Sequence, residues 1–444
     1  MVKYVIYGDF MRYVRRKKYR NPVMIVVVIL FIMVFFGFLY NKNRLNKEDI
    51  IKEVDEYIDD ENISLDFLNW LNDKYGIKVL NSIANYLEVG KYDISMWHKM
   101  VGKSYIVLMD MYQDKYSKMD NVKVIDKTGT LTFSFVGDVS LADNFYIMPK
   151  YDSRNKGIYG ILSREVVDIM TGSDLMVVNN EFTISDRGTK LPGKLYNFKA
   201  SPKRVAIYDE MGVDLVTLAN NHVYDFGEVA FNDTLDTLKE NNIPYIGAGK
   251  NIDEAGRPFY FVINGYKFAF VNATRAEKNI LTPEASTNSG GVYRCYNPSG
   301  FSEIIKNAKS DSDYVIALVH YGREDSHELE KEQVESSKIY IDSGADMVIG
   351  SHAHMLQGIE FYKDKPIFYN LGDFIFNNER KDTGILSVKI NDDGNISYYF
   401  IPARQEDEYT ELLHDNERIK VINDINKWSI NATILEDSGQ VTHK

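Results

Sequence analysis

The chain has one cysteine, Cys295, in 444 residues. A single thiol excludes an intrachain disulfide framework and any thiolate-rich metal site, and Cys295 reads as a small buried apolar residue. Basic charge is also short. The 52 Lys and Arg stand against 64 Asp and Glu, a formal net charge of −12, which argues against nucleic acid as a main partner. No low-complexity tract and no strict repeat is present. At this length two folded units plus extras are expected rather than one small core.

The basic residues that do occur are unevenly placed. Residues 1–22 carry Lys3, Arg12, Arg15, Arg16, Lys17, Lys18 and Arg20 against Asp9 alone. Residues 23–40 follow without a single charge, about 27 Å if helical, against a hydrocarbon core of about 30 Å. No Ala-x-Ala-like cleavage site follows, and Asn41-Lys42-Asn43-Arg44 comes next. These features predict an uncleaved signal anchor in the lipid bilayer. The protein is then expected in the cell membrane as a single-pass chain, residues 1–22 cytoplasmic and the main domain extracellular.

Residues 41–126 read as a small helical module. Leu65–Tyr75 has apolar positions at helical spacing and ends at Gly76; a second helix is predicted over 78–87 and a third over 104–112. His98, beside Trp97, reads as a packing or surface residue. From 127 to 405 short Val/Ile/Phe runs alternate with helical stretches such as 164–170, 204–211, 233–239 and 331–341, which implies an α/β domain. Hairpins are predicted at 259–271, turning on Asn264-Gly265, and at 385–401. Residues 406–444 are polar, with room for one helix and no assigned chemistry.

Five apolar runs in the α/β part finish in residues able to bind a metal. Leu131-Thr-Phe-Ser-Phe-Val136 ends in Gly137-Asp138, and Asp174-Leu-Met-Val-Val178 in Asn179-Asn180-Glu181. Val213-Asp-Leu-Val-Thr-Leu-Ala219 ends in Asn220-Asn221-His222, and Tyr314-Val-Ile-Ala-Leu-Val319 in His320. The fifth, Asp346-Met-Val-Ile-Gly350, ends in Ser351-His352-Ala353-His354, where i and i+2 of an extended segment point the same way. Open α/β sheets gather ligands where strands meet their following loops. Asp138, Glu181, Asn221, His320, His352 and His354 are therefore candidate metal ligands. Their mixed nitrogen and oxygen donors suit Mn, Zn or Fe better than Ca or Mg, and six ligands suggest two divalent ions. His222 should point away from Asn221 and act beside the metal, protonating a leaving group, with Asp225 orienting its ring. Glu324 is a candidate base or a plain surface acid. His327 reads as a residue without chemistry.

Phe135-Val-Gly-Asp138-Val, Asn179-Asn-Glu181, Ala219-Asn-Asn-His222-Val-Tyr-Asp225-Phe-Gly227, His320-Tyr-Gly-Arg-Glu324, Gly350-Ser-His-Ala-His354-Met-Leu-Gln357 and Tyr369-Asn-Leu-Gly-Asp-Phe374 together resemble the CapA family. These are capsule and poly-γ-glutamate biosynthesis proteins whose domain is similar to calcineurin-like metallophosphoesterases. The resemblance covers roughly 131–403 and implies a metallophosphoesterase-like layered α/β domain with mixed sheets, after one transmembrane helix and the helical module. It departs from the phosphoesterases at Ser140, where they carry the histidine of Asp-x-His, and Glu181 stands in for the carboxylate of their Gly-Asp-x-x-Asp. The implied role is synthesis, export or release of an anionic polymer such as poly-γ-glutamate, with membrane-embedded capsule synthesis proteins as partners. Two alternatives stay open: a metal-dependent hydrolase of envelope phosphoesters or amides, and a non-catalytic envelope scaffold.

Overall fold

The computed structural model describes residues 50–51, 64–88, 92–276, 281–392 and 394–444. Two compact units divide between Met96 and Trp97. In the first, the helix Leu65–Tyr75 begins where Ser64 Oγ accepts from Phe67 N at 3.2 Å, and it ends at Gly76 with φ of 82°. Phe67, Leu68 and Leu71 form its buried stripe, and the helix Ile77–Glu88 follows.

The second unit starts earlier than the expected boundary at 127. The helix Tyr105–Tyr112 is held against it by Lys267, fully buried, whose Nζ lies 2.7 Å from Asp110 Oδ2. His98 stacks on Tyr266 with ring centroids 4.0 Å apart, and Val122–Ile125 pairs in parallel with Phe259–Ile263. The helical spacing of 104–112 was legible, but its allegiance to a distant strand was not, and Val122–Ile125, read as part of the helical module, is a strand.

The core strands are the five anticipated ones, named here β1 (Leu131–Val139), β2 (Leu175–Asn180), β3 (Leu215–Thr217), β4 (Tyr314–Tyr321) and β5 (Met347–His352). β1, β2 and β3 lie parallel and adjacent inside a ten-stranded sheet. The long hairpin Lys381–Ile390 and Ile396–Glu406 runs antiparallel on the other side of β1. β4 and β5 lie parallel in a seven-stranded sheet, between Tyr266–Thr274 and Lys365–Phe368.

The two sheets pack face to face. Phe133, Phe135, Leu175, Val177 and Leu215 of one meet Phe268, Phe270, Ile316, Leu318 and Ile349 of the other. Helices cover both outer faces, Arg164–Thr171 and Gly227–Glu240 on one side, Pro298–Ser310 and Lys331–Asp342 on the other. Covering on both faces explains why the anticipated runs are almost uninterruptedly apolar rather than alternating. The result is a layered α/β fold with mixed sheets. Residues 406–444 are part of it: Gln440–His443 pairs with Ile396–Glu406, and Val421, Ile422 and Ile425 of the helix Asp415–Trp428 enter the inter-sheet core. Their polar average concealed that buried stripe.

The expected single-pass placement in the cell membrane is overturned. Among the described residues no helix is long and apolar enough to cross a membrane. The longest run 14 residues, as in Gly227–Glu240, about 21 Å of rise. The segment 23–40 that prompted the expectation lies outside the described residues.

Candidate metal centre

The carboxyl ends of all five core strands open on one cleft. β1 reaches it through an irregularity: its register with β2 shifts between Phe135 and Asp138, so the side chains stop alternating there. Gly137 makes the shift possible. A Cβ at this position would lie 1.8 Å from Gly372 O, and Asp138 N instead donates to that oxygen at 2.9 Å. Asp138 is thereby driven into the cleft beside Asp373, its direct pairing partner.

Two groups of ligand atoms share Glu181: Glu181, His320 and His352 in one, Asp138, Glu181 and His354 in the other, with each group's atoms within 4.8 Å of one another. Asn221 joins the first, its Oδ1 2.8 Å from His320 Nε2, which is 3.7 Å from Glu181 Oε1. Ligands of a tetrahedral zinc, each about 2.1 Å from the ion, stand roughly 3.4 Å apart, so these spacings fit a metal. All six anticipated ligands are therefore together.

His222 and Asp225 are also there. His222 Nδ1 lies 2.7 Å from Asp225 Oδ2, and Nε2 is 3.9 Å from Glu181 Oε1. Glu324 sits on the rim, its side chain 55% exposed, with Oε1 3.9 Å from His352 Nε2. His327 lies apart, stacked on Trp428 at 4.0 Å and bonded through Nδ1 to Leu356 O.

The geometric reason differs from strand alternation at two places. β5 ends at His352, and His352 and His354 have φ of 95° and 56°, in the left-handed region that non-glycine residues rarely occupy. A left-handed turn, not an extended segment, brings both rings round. Residues 220–222 likewise form a bend, so Asn221 and His222 both face the cleft instead of pointing apart.

Four contributors were missed. Asn179 Nδ2 donates to Asp138 Oδ1 at 2.8 Å and Glu181 Oε2 at 3.0 Å, tying two carboxylates together. It stood in view in Asn179-Asn180-Glu181. Asp373 Oδ1 lies 2.7 Å from His354 Nδ1, and its signal was the Gly372-Asp373 step after an apolar run. Ser351 Oγ holds His320 Nδ1 at 2.8 Å. Lys194, from a polar loop with no signal of its own, pairs with Asp225 Oδ1 at 2.7 Å and donates to Asn221 O.

Burial sets the electrostatics. It raises the carboxyls of Asp138 and, far more, Glu181, which the Asp138 charge pushes further. It holds His320 and His352 well below the usual imidazole range, with neighbouring histidines adding to the effect. His222 is lowered by burial, against the pull of Asp225. Burial lowers His354 too, but Asp373 and then Asp138 overcome it and lift the ring to about 9. Glu181 Oε1 and His352 Nδ1 are buried without any hydrogen-bond partner. Acids resisting ionisation, histidines resisting protonation and orphaned donor atoms together fit a bound cation, which would satisfy all three.

The comparisons with known proteins fall on the same segment. A family model described as "Bacterial capsule synthesis protein PGA_cap" matches residues 132–378. The capsule biosynthesis protein CapA of Bacillus anthracis is 27% identical over 284 residues, 61% of this chain and 67% of that protein. The PGA biosynthesis protein CapA of Bacillus subtilis (strain 168) is 27% identical over 280 residues, 61% of this chain and 71% of that one. Among solved structures, a hypothetical protein from Thermus thermophilus aligns with a TM-score of 0.38 at 17% identity, covering 61% of this chain and 99% of that one.

Proposed function

Because the chain belongs to the bacterial capsule synthesis protein PGA_cap family, we propose that it acts in the synthesis, export or release of a capsular anionic polymer such as poly-γ-glutamate, through a divalent metal centre in this cleft. One observation carries the reading: the family segment 132–378 contains every residue of the cleft, from Asp138 to Asp373, including the shared Glu181. Asp138, Glu181, Asn221, His320, His352 and His354 would hold two divalent ions, as Mn, Zn or Fe, in the two groups that share Glu181. When bound, the metal would polarise an ester or amide carbonyl, or a phosphoryl oxygen, and would lower the pKa of bound water to about 7. It also gives an acidic protein a place to seat a polycarboxylate.

The chain's own residues supply positioning and proton handling. Lys194 fixes one oxygen of Asp225, while the other accepts from Phe198 N at 2.7 Å and holds His222 Nδ1. His222 is left with Nε2 turned toward Glu181, placed to take or give a proton. This pair favours a second reading, a metal-dependent hydrolase of envelope phosphoesters or amides, because polymer binding alone needs no oriented imidazole.

The test replaces the native copy by His320→Ala and measures capsular polymer beside protein level. Loss of polymer at unchanged protein level is expected; unchanged polymer defeats the proposal. Hydrolysis is tested with the full chain loaded with Mn or Zn, offered a chromogenic phosphodiester and poly-γ-glutamate. Binding of polymer without turnover of either rejects the second reading.

A further inference from the structure

The hydrogen bonds behind His354 run in one direction, which can be traced from the backbone to the ring. Phe376 N and Asn377 N can only donate, and they reach Gln405 Oε1 at 2.5 and 3.2 Å. Gln405, fully buried on the hairpin strand Ile396–Glu406, therefore turns Nε2 to Asn377 Oδ1 at 2.8 Å. That oxygen also accepts from Glu379 N at 2.8 Å. Asn377 is left to donate through Nδ2, to Asp373 Oδ2 at 3.1 Å, where Lys381 Nζ lies 3.4 Å away. With both donors at Oδ2, Asp373 gives Oδ1 to His354 Nδ1 at 2.7 Å. A backbone N–H cannot reverse, so neither amide side chain can flip without setting donor against donor. Asp373 is fully buried and belongs to neither ligand group, and Asp138 Oδ2 stands farther from the same ring nitrogen, at 3.5 Å.

We infer that this chain of fixed polarity, ending in Asp373, keeps the proton of His354 on Nδ1 and so offers Nε2 to the ion held with Asp138 and Glu181. The nitrogen that a histidine gives a metal is set by the bond its other nitrogen makes. Asp373 is then a positioning residue, acting through His354. The inference rests on the metal centre proposed above and adds to it the group that selects the ligating nitrogen. It makes a specific demand. Asp373→Asn keeps the shape of the side chain, but its amide oxygen has to face the donors Asn377 Nδ2 and Lys381 Nζ, which turns its NH2 group to His354 Nδ1. A neutral ring that accepts at Nδ1 carries its proton on Nε2, where it blocks ligation. Asp373→Ala removes the partner and leaves both tautomers open. The near-isosteric change should therefore do more harm than the truncation, whereas a merely structural role predicts the opposite order.

The experiment uses the full chain, cleared of metal with a chelator and titrated with Zn by calorimetry, with metal content measured after desalting. Circular dichroism checks that each variant is folded. His354→Gln sets the level at which the ion held by Asp138, Glu181 and His354 is lost. Asp373→Ala should weaken that ion by about 10- to 100-fold, as loss of a supporting residue does, and Asp373→Asn by more than about 100-fold, toward the His354→Gln level. Adding Asn377→Asp to Asp373→Asn gives the new NH2 group an acceptor and returns the amide oxygen to His354, so about tenfold or more of the affinity should come back. Asp373→Asn no worse than Asp373→Ala, or no recovery in the double variant, overturns the inference. Metal binding that His354→Gln leaves unchanged overturns it as well. A wild-type chain that binds no metal overturns the metal centre itself, and the inference with it.

Discussion

Gly137→Ala probes the join between fold and site. The added methyl group would lie 1.8 Å from Gly372 O and 2.8 Å from Gly372 C, where contacts under 3.0 Å are essentially never found. The two backbones must separate by roughly an ångström, and neither clashing atom belongs to a side chain that can swing away. Relief therefore moves Asp138, whose N–H donates to Gly372 O, or Asp373, the next residue along. Overpacking of this kind costs about 1–3 kcal/mol, and the strained hydrogen bond adds about 1 kcal/mol. The unit from Trp97 to Lys444 has roughly 350 residues, so its unfolding entropy near the melt is about 0.7 kcal/mol per kelvin. A total of about 2–4 kcal/mol then lowers Tm by about 3–6 °C. Differential scanning calorimetry of the full chain measures it, with Gly129→Ala as the contrast. That site has open space around it, so only its φ of 93° is penalised, by about 1 kcal/mol. A Gly137→Ala melt within about 1 °C of wild type, or a fall no larger than that of Gly129→Ala, refutes the reasoning.

Other consequences are open to measurement. Asp110→Ala removes the close partner of Lys267, which is fully buried and then left with Asp311 at 3.0 Å; a loss of about 3 kcal/mol in urea unfolding is expected, and a loss under about 1 kcal/mol would detach Tyr105–Tyr112 from the core. Cys295 is buried and its thiol is pushed up to about 11, so iodoacetamide at pH 8 should leave the folded chain unlabelled and label it once unfolded; rapid labelling of the native protein contradicts its burial. In metal-free protein His354 stands near 9 when folded, above the unperturbed 6.5, so its stabilisation is complete below about pH 6.5 and is lost as pH rises through 9. Thermal melts of His354→Gln against wild type should differ by about 3 kcal/mol at pH 6 and converge by pH 10; a difference constant across that window contradicts the ion pair with Asp373.

The five core strands and the cleft at their carboxyl ends were legible because burial on both faces writes a continuous apolar run, and the polar residue ending each run stands out against it. The hairpin at Asn264-Gly265 and the helix ended by Gly76 were legible for local reasons of the same kind. What stayed hidden was long range. Asp373 acquires its meaning from Asp138, far back along the chain, which it pairs through a loop seated on Gly137. Lys194 acquires its meaning from Asp225, and nothing in its own polar loop marks it. At His352 and His354 the pattern led to the right residues by a geometry the chain does not use: alternation along a strand predicts convergence, whereas two left-handed residues produce it. That difference has a chemical consequence. An extended i, i+2 pair would present both rings equally to the cleft. The turn separates them, leaving His352 Nδ1 without a protein partner and sending His354 Nδ1 to Asp373. Two histidines that look alike in sequence therefore meet different neighbours, and only the fold decides which.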